Sequence, residues 1–173
     1  MGTSPVVPIK VIGVGNAWRG DDAVGLLVAR SLGHENLPQV EISENLGTAS
    51  ALTDAWQNAA RVIVVDAVIT GGPPGAIYLF DAHDPAATFP VSWSPSSHGW
   101  GLSEAVALGK VFQDLPPCLF IYGIAGNNFT IGEGLSPAVA AAIPEATRRL
   151  LQEIQTWLEQ APPEGQAAQT GDS

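Results

Sequence analysis

The chain has 173 residues, of which 46% are hydrophobic and 14% charged, and 17 acidic against 7 basic side chains give it a formal net charge of −10. Its length and high apolar content exclude a disordered chain and predict one domain with a buried core. The acidic balance argues against a nucleic-acid partner, because binding to phosphates requires a basic surface.

The sequence also indicates where the protein resides. Cys118 is its one cysteine, so no internal disulfide can form and nothing indicates an oxidising compartment. Residues 1–10 contain neither the cationic nor the apolar segment of a signal peptide. No apolar run reaches the roughly 18 residues of a membrane-spanning helix. We therefore expect a cytoplasmic monomer without a membrane partner.

Short apolar runs alternate along the chain with segments of helical periodicity. The predicted strands are 10–14, 40–43, 61–68, 76–80 and 119–124. The predicted helices are 22–32, 48–59, 102–112 and about 144–159. Continuously apolar strands that alternate with helices predict an α/β fold, a three-layer sandwich in which helices flank a mostly parallel twisted sheet. We expect residues 1–160 to form this single domain and residues 161–173 to be a disordered tail.

Polar side chains lie at or after the ends of the predicted strands. Asp21 and Asp22 follow the first strand, Asp66 closes the apolar run of the third, and His98 lies in a Ser-Ser-His-Gly loop. Ligand sites of parallel sheets lie beyond the C-terminal strand ends, so one cleft could collect these groups. Two carboxylates and an imidazole suit a divalent first-row metal, and three ligands leave coordination positions open.

Each of these acids also has a structural interpretation. Asp21 and Asp22 would cap the helix that follows them, or one would cap while its neighbour faces the cleft. Asp66 would accept N–H groups from a neighbouring loop, because an unpaired charge at the edge of the core is costly.

The sequence supports three other kinds of site less well than the metal site. Gly13 and Gly15 begin a dinucleotide-binding fingerprint, but Trp18 occupies its third glycine position. A serine hydrolase would pair His98 with a neighbouring serine, yet the chain has no G-x-S-x-G motif. Cys118 is interpreted as a small buried apolar residue rather than a nucleophile.

An ordered set of short motifs is more specific than any one of them. The set comprises Gly13, Gly15, Asn16, Asp21, Asp22 and Gly25 in a G-x-G-N-(4)-D-D-x-x-G run, then segments 64–67, 97–105, 122–124 and 134–137. In this order the chain resembles the hydrogenase maturation endopeptidases over residues 11–151. Those enzymes remove the C-terminal extension of the large subunit of nickel–iron hydrogenases.

The resemblance implies that Asp22, Asp66 and His98 are both the metal ligands and the catalytic residues. It also implies that nickel arrives already installed in the precursor of the hydrogenase large subunit, which would be the partner. Nickel would then bind weakly or not at all to the free protein. Whether the metal polarises the peptide carbonyl or activates water stays open. The alternative function is a non-catalytic nickel-sensing chaperone or binding module for the same precursor.

The chain departs from the family pattern in two places. Many relatives have Ser-Pro-His, whereas here Pro95 lies three residues ahead of His98. Some relatives carry an Asp-Gly-Gly-Thr turn after the second strand, whereas this chain has Asn45-Leu46-Gly47-Thr48. Glu44 is the carboxylate that could substitute for the missing aspartate.

Overall fold

The computed structural model of the chain describes residues 7–87, 92–93 and 101–160. Its strands are β1 (Val7–Val14), β2 (Val40–Asn45), β3 (Ala59–Ile69), β4 (Ile77–Asp81), β5 (Ser92–Trp93) and β6 (Cys118–Ala125). Its helices are α1 (Val24–Gly33), α2 (Ala49–Trp56), α3 (Leu102–Phe112) and α4 (Pro137–Glu159), and a short 3-10 turn, Gly20–Ala23, precedes α1. Residues 161–173 lie outside the described residues, so the predicted tail and domain limits stay predictions.

These strands form one sheet with the order β2-β1-β3-β6-β4, and β5 pairs with β3 outside this path. The three central pairings, β2 to β1, β1 to β3 and β3 to β6, join strands that run parallel. β4 runs antiparallel to β6, and β5 runs antiparallel to β3. The mostly parallel sheet was therefore predicted correctly.

Two apolar cores cover the two faces of the sheet. α1 and α4 pack on one face, where Val24, Val28 and Leu150 belong to the same buried cluster as Ile63 and Val65 of β3. On the other face α2 and α3 pack against the alternate residues of β3, with Leu52, Trp56, Val106, Val62 and Val64 in one cluster. Because β3 is covered on both faces, its residues 62–65 are all apolar, as in other buried parallel strands. This arrangement confirms the three-layer sandwich.

Gly25 sets how closely α1 approaches the sheet. A Cβ atom at this position would lie 2.3 Å from the carbonyl oxygen of Val65 and 2.4 Å from that of Val14. Gly13 on β1 packs against Gly25 itself, since a Cβ at Gly13 would lie 2.5 Å from the carbonyl oxygen of Gly25. The missing side chains allow the turn after β1 to be short and tight, which brings the start of α1 to the C-terminal edge of the sheet.

The largest differences from the predicted helix boundaries are at the start of α4 and the end of α2. α4 begins at Pro137, not near Pro144, and Pro144 lies inside it. Proline fits the first helical position because its missing N–H would have no partner there, and Pro137 fills that role. α2 ends at Trp56, because Asn58 takes a left-handed conformation (φ 59°) and Ala59 already belongs to β3.

Candidate active site

The 3-10 turn Gly20–Ala23 carries two adjacent carboxylates at the C-terminal edge of the sheet. Asp21 and Asp22 are both 0% exposed, although they follow each other in the chain. Both lie in the first turn of this 3-10 segment, whose N-cap residue is Arg19, and the N-cap residue of α1 is Ala23. The hydrogen bonds of the two carboxylates reach two different segments of the chain.

Asp21 anchors the connection between β6 and α4. Its carboxylate accepts hydrogen bonds from the backbone N–H groups of Asn127 (3.0 Å), Asn128 (2.9 Å) and Ser136 (2.7 Å), and from the Ser136 hydroxyl (2.9 Å). Burial opposes ionisation of Asp21, but these donors outweigh it and lower the pKa of the carboxyl. Asp21 thus remains charged and ties a distant loop to the turn.

Asp22 holds the turn that follows β1. Its Oδ2 accepts a hydrogen bond of 2.9 Å from the backbone N–H of Asn16. The turn is close-packed, since a Cβ at Gly15 would lie 1.9 Å from the carbonyl oxygen of Asp22. The same hydrogen bond opposes the dinucleotide alternative, because a carboxylate occupies a backbone donor that a phosphate would need. Trp18, at 77% exposure, is likewise not at a helix–strand contact.

Asp66 is the most unusual charge-bearing group in the described structure. It pairs with Gly123 of β6 and is only 3% exposed. Its Oδ1 has no hydrogen-bond partner among the described residues. Burial first, and the nearby charge of Asp22 second, raise the pKa of Asp66 well above its usual value, against the lowering effect of the Ala67 backbone N–H. An orphaned oxygen beside a second carboxylate favours a proton or a cation at this point.

Asp66 lies inside β3, near its C-terminal end, as in the predicted strand 61–68. β3 continues to Ile69, and β5 pairs with this extension through Val68 and Trp93. The 3-10 turn that carries Asp22 contacts β3, which carries Asp66, and the charge of Asp22 contributes to the raised pKa of Asp66. His98 lies outside the described residues. Among those that are described, no three Asp, Glu, His or Cys side chains form a group that could hold a metal ion.

Glu44, the candidate substitute for the aspartate of the family turn, is engaged elsewhere. Arg30 of α1 donates to it through Nε (2.6 Å) and Nη2 (2.9 Å), and this partner lowers the pKa of the Glu44 carboxyl. Asn45 is also used locally, because its Oδ1 accepts from Gly47 N–H (2.8 Å) and its Nδ2 donates to the Ala51 carbonyl (3.1 Å). These contacts order the turn after β2 and leave no free carboxylate there.

Cys118 lies far from the acids. It begins β6 and pairs with Arg61 near the start of β3, whereas Asp66 pairs with Gly123, five residues further along β6. At about 3.3 Å per residue, this separation is roughly 16 Å. Burial raises the pKa of the Cys118 thiol to about 11. A neutral thiol at the opposite edge of the sheet cannot act as the nucleophile of this site.

Sequence reasoning missed the role of Ser136. Its position in the 134–137 motif was recognised, but its two hydrogen bonds to Asp21 were not predicted. The signal was the Ser-Pro pair at positions 136 and 137, which marks the beginning of α4 and places an N–H and a hydroxyl near one another.

Comparison with known proteins extends these observations. The sequence profile of the family described as "HycI: Hydrogenase maturation protease" matches residues 28–153, a range that includes Asp66. The hydrogenase 2 maturation protease of Escherichia coli strain K12 is 27% identical over 146 residues, which cover 83% of this chain and 88% of that protein.

Solved structures of similar proteins have the same fold. The hydrogenase maturating endopeptidase HybD of E. coli matches with a TM-score of 0.69 at 22% identity, over 86% of this chain and 93% of that one. The [NiFe] hydrogenase maturation protease HycI of Thermococcus kodakarensis KOD1 matches with a TM-score of 0.59 at 25% identity, over 91% and 96%. Together these findings identify a peptide hydrolase. The chain belongs to the hydrogenase maturation protease family.

Proposed function

We propose that this endopeptidase removes the C-terminal extension of a nickel-loaded hydrogenase large-subunit precursor, and that it recognises the nickel ion of that substrate through Asp22, Asp66 and His98. The observation that carries the proposal is the orphaned Oδ1 of Asp66, buried beside Asp22. A divalent cation would replace the repulsion between two carboxylates by attraction to both, and it would give the orphaned oxygen a partner.

The roles of the two described acids follow from their surroundings. Asp22 is oriented by the backbone N–H of Asn16, so its carboxylate is fixed before substrate arrives. Burial and the charge of Asp22 raise the pKa of Asp66, which favours a proton on this carboxyl until a cation binds. A metal ligand must be deprotonated, so docking of the nickel-loaded precursor would release this proton. Three ligands from this chain would leave the other coordination positions of nickel to the ligands that the precursor itself supplies.

Location and partners form part of the same proposal. The reaction takes place in the cytoplasm on a single copy of this chain, and nickel belongs to the substrate rather than to the resting enzyme. No helix among the described residues is long and apolar enough to cross a membrane.

The test is the intact mass of the precursor after incubation with the purified chain. We expect a mass loss at one peptide bond near the C-terminus of nickel-loaded precursor, and none from nickel-free precursor. The His98→Ala variant should not cleave, whereas His34→Ala, at an exposed position after α1, should cleave normally. Cleavage of nickel-free precursor at the same rate would contradict nickel recognition. Stable binding without any mass loss would favour the chaperone alternative.

A further inference from the structure

Two large apolar side chains are exposed at the edge of the sheet that carries the acids. Trp18, in the turn after β1, is 77% exposed, and Leu46, in the turn after β2, is 73% exposed. Both line a groove of about 250 Å³, whose inner wall includes Leu26 of α1. Water contact with two such side chains is unfavourable, and exposed apolar groups around a groove are typical of binding surfaces.

This groove is continuous with the acid pair. Asn16 lines it, and the backbone N–H of Asn16 donates to Asp22 Oδ2 (2.9 Å). Gly15 also lines it and joins the two turns, because its N–H donates to the carbonyl of Asn45 (3.0 Å). A polypeptide whose metal is bound at Asp22 and Asp66 would therefore lie close to the groove.

The position of Trp18 is fixed by hydrogen bonds on both sides of its backbone. Its N–H donates to Asn16 Oδ1 (2.9 Å), and its carbonyl accepts from the N–H of Gly132 (2.8 Å). The indole is thus presented to solvent by an ordered turn. Rigid aromatic side chains of this kind supply much of the binding energy at interfaces, since little conformational entropy is lost on binding.

The charges of the groove indicate what it accepts. The chain carries a net charge of −10, but the groove contains one cation and one anion, Arg30 and Glu44, which bind each other through two hydrogen bonds. A charged occupant would have to compete with this pair, whereas an uncharged apolar one leaves it intact. The lining therefore favours an apolar side chain.

We propose that the groove between Trp18 and Leu46 binds an uncharged, apolar side chain of the precursor, in the segment next to the cleaved bond. This proposal rests on the proposed function, because it identifies the occupant as part of the same substrate. The groove would then select the side chain next to the scissile bond, while Asp22 and Asp66 bind the metal.

The test uses the variants Trp18→Ala, Leu46→Ala and the double variant, with Phe112→Ala as the matched control. Phe112 is also 73% exposed but ends α3, six residues before β6 begins at the opposite edge of the sheet. Binding of nickel-loaded precursor is measured directly by calorimetry, and cleavage by kcat and KM. We expect Kd and KM to rise about tenfold in each single variant, with kcat unchanged. Phe112→Ala should bind and cleave like the unsubstituted chain.

The remaining outcomes separate this proposal from the proposed function. If the unsubstituted chain cleaves and the double variant binds equally well, the groove is not a substrate site and the proposed function stands. If Phe112→Ala weakens binding as much as Trp18→Ala, general surface hydrophobicity explains the effect and the groove proposal is wrong. A fall in kcat at unchanged KM would also contradict docking. If the unsubstituted chain neither binds nor cleaves the precursor, both proposals are wrong.

Discussion

Ser136, immediately before α4, donates hydrogen bonds from its backbone N–H and its hydroxyl to Asp21, which lies 115 residues earlier in the chain. The buried carboxylate of Asp21 therefore connects the turn that carries Asp22 to the connection between β6 and α4. We expect Asp21→Asn to lose about 3 kcal/mol of unfolding free energy. An amide has one acceptor oxygen instead of two, so it cannot accept hydrogen bonds from all these donors.

Urea denaturation monitored by circular dichroism measures this loss. Asp54→Asn, at an exposed position on α2, is the matched control and should leave stability unchanged. An Asp21→Asn variant as stable as the control would show that the hydrogen bonds contribute no net stability.

Asp66 should make stability fall as pH rises. Burial and the charge of Asp22 raise the pKa of Asp66 above the ordinary value of 3.8, so the folded state retains a proton that the unfolded chain releases. This contribution is complete below pH 3.8 and is lost as pH increases through the raised pKa of the folded state. Asp21, whose pKa is lowered, acts in the opposite direction: its contribution is present above its unfolded pKa and is lost as pH falls through its folded pKa.

Unfolding free energies of the unsubstituted chain and of Asp66→Asn, measured across this pH range, separate the two effects. The decrease in unfolding free energy with rising pH should disappear in Asp66→Asn. The decrease with falling pH, which Asp21 causes, should remain. NMR titration should show one aspartate carboxyl that ionises at unusually high pH, and Asp22→Asn should lower that pKa. If all aspartates titrate normally, the acids are not a coupled buried pair.

Gly25 provides a test of the packing that places the site. We expect Gly25→Ala to lose about 3 kcal/mol of unfolding free energy, because its Cβ would contact two backbone carbonyls that cannot move freely. Gly33→Ala is the control, since no atom lies within 4 Å of a Cβ there and alanine favours the helix by up to about 1 kcal/mol. Thermal unfolding of both variants checks this difference. Equal stability of the two would mean that α1 can shift away from β1 and β3 at little cost.

Cys118 should be dispensable for cleavage. Its thiol is half-buried and neutral at the pH of the cell, so Cys118→Ser should process the precursor normally while losing about 1 kcal/mol of stability. Processing rates and thermal midpoints test the two halves of this prediction. A folded Cys118→Ser protein without activity would instead indicate a cysteine peptidase.

Much of the fold could be predicted because its signals are local. The apolar run of β3 and the periodicity of α3 need no information from elsewhere in the chain. The start of α4 was harder, since Pro137 and Pro144 both suit a first helical turn and the sequence alone favoured the second. Tertiary packing of Val139 and Ala142 against the sheet extends the helix across Pro144.

The site was predictable only in part. The resemblance pointed to Asp22 and Asp66, and the turn that carries Asp22 contacts the strand that carries Asp66. The resemblance could not show that Asp21 binds Ser136 whereas Asp22 binds Asn16. Adjacent acids are distinguished only by the segment that each one contacts in the folded chain. The predicted role of His98 stays a prediction, since that residue lies outside the described part of the chain.

The most direct test of the acid pair is the rate at which Asp66→Asn processes nickel-loaded precursor. Asparagine has nearly the same shape but offers no anionic ligand, so we expect the rate to fall by about 100-fold or more. Stability should be equal or higher, because the cost of burying an ionisable carboxyl beside Asp22 has been removed. The matched Asp54→Asn protein should process at the unsubstituted rate. If Asp66→Asn processes the precursor as fast as this control, Asp66 does not recognise the metal and the assignment of the site is wrong.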